Sequence, residues 1–290
     1  MRWDDEGISG DIEDRRGSGG GGGFGFGGGG RGLGLGGILI LGVLSLFFGR
    51  DLISPFLGLS RGGGAGMRGS GPDPSRMARE EKLTHFVSFV INDLQRTWAK
   101  SLPEQTGVPY QKTTLVLFWD TTESACGFAE SASGPFYCPG DAKVFIDLGF
   151  YDELTQKFGA PGEFAQAYVI AHEVGHHIQK LTGVERRVRA LQSRNPESAN
   201  PLSVRMELQA DCLAGVWGRS AAQRDVINEK DVESGLNAAA SIGDDRIQKM
   251  STGHVFPEKF THGSSAQRVE WFKRGLSDGQ VKACNTFEQL

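Results

Sequence analysis

The pattern His172-Glu173-Val174-Gly175-His176, inside a segment (161–181) that reads as one helix, constrains this chain more than any other. Residues four apart share a helix face, so His172 and His176 can offer two imidazoles to one metal ion while Glu173 stands beside them to handle a proton. Two histidines on a helix are otherwise just a solvated face. Here Phe164, Ala167, Ala171, Val174, Ile178 and Leu181 form an apolar stripe, and Ala165 and Val169 precede the histidines on their own side. A helix apolar nearly all round belongs in a core. Buried histidines and a buried glutamate need partners, and a metal ion supplies one.

The continuation of the motif excludes one class of zinc site. A metzincin needs glycine and histidine farther along the same segment, where this chain has Gln179 and Thr182. His177 is rotated away from His172 toward the Glu173 side of the helix. The third ligand is sought downstream, in Glu207-Leu208-Gln209-Ala210-Asp211, on a second helix expected to open with Asn200 as its cap and Pro201 in its first turn. Glu207 and Asp211 lie one turn apart and would repel each other unless a cation stands near. With zinc present, Glu207 completes a His, His, Glu set, and Asp211 holds the second nitrogen of a ligand histidine. The alternative is an acidic face turned to water.

The chain resembles the neutral zinc metallopeptidases of bacterial cell envelopes. The resemblance runs through Ser124-Ala125-Cys126-Gly127, Gly134-Pro135-Phe136-Tyr137-Cys138-Pro139, the stretch from Ala167 to His177, Glu207-Leu208-Gln209-Ala210-Asp211-Cys212 and His262-Gly263-Ser264-Ser265-Ala266-Gln267-Arg268. It includes Asp14-Arg15-Arg16-Gly17 ahead of the glycine-rich stretch, and the metal positions show no departure. A looser similarity reaches the membrane zinc peptidases that process prenylated proteins and the thermolysin-like enzymes. The resemblance implies an α+β, mainly helical, zincin-like domain of gluzincin type with a small β-sheet and a bound Zn2+. By the same resemblance, His262 is the candidate donor to the oxyanion, with a structural histidine before a helix as the alternative, and the strand just before the metal helix could pair with extended substrate, with a plain sheet strand as the alternative; His177 could help His262. Zinc on His172, His176 and Glu207 would keep one position for water, and Glu173 would act as the general base in hydrolysis of a peptide bond.

The formal net charge of −4 gives no sign of a nucleic-acid partner. Of 43 glycines, more than half fall between Gly17 and Gly71, so that segment is set apart from a remainder of ordinary composition. Residues 1–31 read as a disordered glycine-rich tail, because such a stretch buries too little surface to offset its ordering entropy. Residues 32–49 are uncharged, lie between Arg31 and Arg50, and are just long enough for a transmembrane helix. Residues 50–74 form a flexible linker and residues 75–290 the zinc metallopeptidase domain. Arginines balance on the two sides of the span, so the positive-inside rule nearly ties.

Cysteine usage bears on the orientation. Cys126 and Cys138 bracket a short excursion that suits a local disulfide, and Cys212 could then pair with Cys284. Disulfides place the catalytic domain outside the cytoplasm, in the periplasm and anchored by a single pass to the inner membrane, with the tail inside; four reduced thiols in a cytoplasmic domain are the alternative.

A long amphipathic helix is expected over 75–102, with Leu83, Phe86, Val90, Leu94 and Trp98 inward and His85 structural or at the surface. Residues 114–119 and 143–147 read as strands and 229–250 as a helix, and another helix begins near Ser264. The function expected is a membrane-anchored zinc endopeptidase acting on a protein or peptide. A non-catalytic zinc scaffold or assembly factor of the envelope is the alternative, and Glu173 discriminates between them, since a structural zinc has no use for a free carboxylate.

Overall fold

The computed structural model describes residues 1–17 and 73–288. The chain opens with a short strand, β1 (Ile12–Asp14). Helix α1 (Pro74–Thr106) follows, started by the Asp73 side chain, which accepts from the Ser75 and Arg76 amides, and by proline at its first position. It ends at Gly107, whose φ of 73° is the left-handed cap that glycine adopts without strain. Next come β2 (Thr114–Leu117), the hairpin β3 (Thr121–Ser124) and β4 (Gly127–Glu130), then β5 (Phe136–Cys138) and β6 (Lys143–Ile146).

The remaining chain is helical: α2 (Phe150–Gln156), α3 (Glu163–Leu181), α4 (Val184–Arg194), α5 (Ala199–Gln223), α6 (Glu229–Ser241), α7 (Asp244–Thr252) and α8 (Ser265–Asp278). The expected mainly helical α+β architecture is present. One sheet has the order β1-β2-β6-β5, with β5 antiparallel to β6 and the other pairs parallel. The core joins α1, the sheet and α3 to α5 through Trp98, Tyr168, Phe164 and Trp217, all fully buried. α5 and α8 pack backbone to backbone, since a Cβ on Gly215 would run into the Phe272 carbonyl and one on Gly275 into that of Cys212. Both expected disulfides, Cys126–Cys138 and Cys212–Cys284, are formed.

Several boundaries differ from the sequence expectation. The segment 229–250 divides at Gly243, which has extended backbone and no room for a side chain against Ser265, and Asp244 and Asp245 then open a new helix. α5 starts one residue before Asn200, whose side chain reaches the Glu258 carbonyl at 3.3 Å instead of capping. The hairpin and β5, between the two strands expected, are too short for a periodicity to register.

Residues 1–17, expected in a disordered tail, belong to the domain. β1 pairs with β2, Trp3 packs on Phe86 and Phe89, and Arg16 is buried against Glu80. The average composition of the segment concealed a few well-placed apolar and charged side chains. The rest of the expected tail, the span over 32–49 and the linker up to residue 72 lie outside the described residues. Among the described residues, no helix is long and apolar enough to cross a membrane.

Candidate metal centre and active-site cleft

The candidate metal centre lies where α3 crosses α5. Gly175 lies at the crossing, and a Cβ there would stand 2.9 Å from the Ala210 carbonyl oxygen and 3.0 Å from its Cα. The absence of a side chain lets the helices nearly touch, and Glu207, one turn before Ala210, reaches both histidines. His172 Nε2 lies 3.1 Å from Glu207 Oε2, and His176 Nε2 lies 3.5 Å from Oε1. One ligand atom from each of His172, His176 and Glu207 falls within 4.8 Å of the others. With zinc bonds of about 2.0–2.1 Å, tetrahedral donors stand about 3.3 Å apart, so this set fits zinc.

The outward nitrogens are held as a metal site requires. His172 Nδ1 donates to Asp211 Oδ1 at 2.8 Å, and His176 Nδ1 donates to Gln179 Oε1 at 2.8 Å, leaving both Nε2 atoms toward Glu207. Asp211, fully buried, also accepts from the Tyr168 hydroxyl and from Arg268, whose Nε and Nη2 donate at 2.8 and 2.9 Å. Gln179 in turn donates to the Met206 carbonyl at 2.7 Å and to Gln209 Oε1 at 3.1 Å, tying α3 to α5 a second time.

The field at this point favours a cation. Burial opposes a charge on His172, yet the Asp211 carboxylate, with Glu207, pushes its pKa up to about 10. Glu207 is withdrawn from water as well, but His176 and His172 hold its carboxyl well below the usual range. Asp211 is kept ionised against burial by Arg268 and His172. Glu173 behaves in the opposite way, its pKa raised by burial. Among the described residues, no donor stands within hydrogen-bond distance of its carboxylate.

These groups lie in a cleft of about 650 Å³ lined by His172, Glu173, His176, Glu207 and His262. Asp244 carries His262 to the rim: its Oδ2 accepts from the backbone amides of Thr261, His262 and Gly263, and its Oδ1 accepts from His262 Nδ1 at 3.1 Å. Desolvation lowers the pKa of His262, and the hydrogen bond to Asp244 with the charges of Glu207 and Asp244 raises it above the ordinary imidazole value. His177 is not part of the cleft lining. It is 1% exposed and bonded to the Tyr137 hydroxyl at 2.8 Å and the Gln111 carbonyl at 2.6 Å, so it fastens β5 to α3 and the expected help to the oxyanion is corrected.

The strand expected to receive substrate, 143–147, is β6, and both its edges are taken by β2 and β5. β5 is an edge strand, as is β1 at the other side of the sheet, and Phe136, Tyr137 and the preceding Gly134 and Pro135 line the cleft. His85, expected at the surface or structural, pairs with Asp5 away from the cleft.

His172, His176, Glu207, Glu173, Asp211 and His262 therefore come together as the sequence suggested. Gln179, Tyr168, Arg268 and Asp244 were not assigned roles. Gln179 could have been found, since it lies three residues after His176 on the same helix face. Arg268 could not, because its partner is 57 residues away.

A family model described as "Putative neutral zinc metallopeptidase" matches residues 1–287. The chain is 46% identical over 290 residues to "Uncharacterized protein YpfJ" of Escherichia coli (strain K12), covering 99% of both chains. It is 40% identical over 207 residues to "Uncharacterized protein Rv2575" of Mycobacterium tuberculosis (strain ATCC 25618 / H37Rv), covering 68% of each. No solved structure matches.

Proposed function

Since the chain belongs to the neutral zinc metallopeptidase family, we propose that it is a zinc-dependent endopeptidase whose protein or peptide substrates lie in this cleft. The observation that carries the reading is the convergence of His172, His176 and Glu207 on one point beside a buried Glu173 whose carboxylate has no hydrogen bond among the described residues. Zinc held by those three residues would supply Lewis-acid polarisation of the scissile carbonyl and a water of lowered pKa.

The chain's own groups do the rest. Glu173, its pKa raised by burial, takes the proton from the attacking water and passes it to the departing amine. His262, its Nδ1 held by Asp244, donates Nε2–H to the oxyanion as it develops. The free edge of β5 pairs with the extended substrate backbone, and Phe150, Phe158, Val169, Ile242 and Ile247 form an apolar wall suited to a bulky hydrophobic side chain. Two disulfides, and no free cysteine among the described residues, favour work outside the cytoplasm, and the apolar run at 32–49 favours a membrane anchor.

The test uses the full chain, because residues 1–17 belong to the domain. Glu173→Gln is expected to retain one zinc per chain and to lose about 10²–10⁴-fold in cleavage of an unfolded protein. Undiminished turnover would remove Glu173 from the mechanism. A parent chain that binds zinc and cleaves nothing would favour the non-catalytic scaffold.

A further inference from the structure

The chain leaves the described domain after Gly17 and returns at Asp73, and one side chain holds both ends. Glu80 of α1 accepts from Arg16 Nη1 at 3.0 Å on Oε2 and from Arg76 Nε at 2.8 Å on Oε1. Trp119 Nε1 donates to the same carboxylate at 3.0 Å. Glu80 is 7% exposed and Arg16 9%, so this junction is built into the protein and not laid on its surface.

Upstream of Arg16 the chain is woven into the domain. The Arg15 amide donates to the Leu117 carbonyl and the Leu115 amide to the Asp11 carbonyl, each at 2.8 Å, continuing the β1–β2 ladder. The Ser9 hydroxyl donates to Asn92 on α1 at 2.6 Å, the Trp3 indole donates to Glu163 on α3 at 3.2 Å, and the Arg2 amide donates to the Val226 carbonyl at 2.8 Å. Residues 1–17 thus touch the sheet, α1, α3 and the end of α5.

A single bilayer crossing between residues 17 and 73 would carry β1 to one side and β2 to the other, and the two could not be neighbours in one chain. We propose that residues 1–17 and 73–288 lie on the same side of the membrane that residues 32–49 are expected to enter, with the surface at Gly17 and Asp73, where the chain leaves and returns, turned to the lipid. Gly17 and Asp73 lie on either side of the Glu80 junction, and this surface is where the described chain stops and resumes. The proposal replaces a single-pass arrangement with the first residues inside and the catalytic domain outside. It uses no residue of the metal centre and stands or falls apart from the peptidase reading.

All four cysteines are in disulfides, so an added cysteine is the one reactive thiol. Ile8 and Met250 are 54% and 55% exposed, so Ile8→Cys and Met250→Cys should leave folding intact. Each full-length variant, recovered in the membrane fraction, is treated in spheroplasts with a membrane-impermeant maleimide before and after permeabilisation. The expected result is that both react alike, either both before or both only after. Reaction of one before and of the other only after overturns the proposal, as does recovery of the full chain wholly in the soluble fraction.

The lipid-facing side is read separately with Ala78→Cys, exposed in the first turns of α1 near the point where the chain returns at Asp73. With an environment-sensitive fluorophore on the thiol and vesicles of phosphatidylethanolamine and phosphatidylglycerol carrying a lipid quencher, quenching is expected at Ala78→Cys and not at Met250→Cys. The reverse pattern refutes the assignment of the face.

Discussion

Gly175→Ala tests whether the metal centre depends on the close crossing of α3 and α5. The added Cβ would lie 2.9 Å from the Ala210 carbonyl oxygen, against 3.4 Å for an ordinary contact, so α5 must retreat by about half an ångström. Overpacking of this kind costs about 1–3 kcal/mol, and the better helix propensity of alanine returns up to about 1 kcal/mol. Global stability should therefore fall by between about 0 and 3 kcal/mol. Zinc binding should suffer more, because Glu207 moves with Ala210 and metal–ligand distances tolerate only about 0.2 Å. A tenfold weaker site removes about 1.4 kcal/mol of zinc-dependent stabilisation, or about 3–6 °C of the rise in Tm at a fixed zinc excess. The assay is thermal unfolding with and without zinc, paired with chelator competition. If Gly175→Ala lowers Tm equally in both conditions and leaves zinc affinity unchanged, the crossing does not set the ligand geometry.

The network behind the histidines gives a second test. Asp211→Asn leaves Arg268 buried at 2% exposure without a counter-charge, which should cost about 3–5 kcal/mol in denaturant unfolding and about 10–100-fold in zinc affinity. Titration gives a third. The metal-free pKa of His172 is raised to about 10, so its stabilising contribution is fully present below about pH 6.5 and is lost as pH rises through about 10. Zinc must displace that proton, so near pH 8 calorimetry in buffers of different ionisation enthalpy should show release of about one proton per zinc, and none would contradict the assigned charge. Serine replacement of Cys212 and Cys284, 72 residues apart, should cost about 4 kcal/mol in urea unfolding, against about 3 kcal/mol for Cys126 and Cys138, 12 apart; the reverse order would indicate residual structure in the unfolded chain.

Local patterns were legible and remote partners were not. The spacing of His172 and His176, of Glu207 and Asp211, and of the apolar stripe on α3 is fixed by helix geometry alone, so both helices and the candidate ligand set could be read directly. Ser264 is also the cap of α8, with the reciprocal bond from Gln267 that such a box predicts. By contrast, Arg268 reaches Asp211 only because glycines let α5 and α8 touch, and no periodicity encodes that distance. The failure at residues 1–17 has another cause. β1 has three residues and derives its stability from a parallel partner about a hundred positions away, so a window average sees a mostly polar stretch near a glycine run. The strand assigned to substrate was misplaced because sheet order depends on β5, whose three residues carry no alternation long enough to detect.

Each disulfide is joined to a different boundary of the cleft. Cys138 ends β5, the edge strand beside the cleft, and its bond to Cys126 ties that strand to the β3–β4 turn. The opposite side of the same strand is held by Tyr137 on His177 and by Lys180 on the Pro139 carbonyl. Cys212 follows Asp211 directly on α5, and its partner Cys284 presents the backbone carbonyl that accepts from Gln209 at 2.9 Å. Gln209 accepts in turn from Gln179, which orients His176. A short chain of contacts therefore runs from an oxidised cysteine pair to a metal ligand. Loss of the Cys212–Cys284 bond acts on the metal centre as well as on global stability, whereas loss of Cys126–Cys138 acts on the edge of β5. The two bonds are thus separable by assay, the first through zinc affinity and the second through the Michaelis constant for an extended peptide.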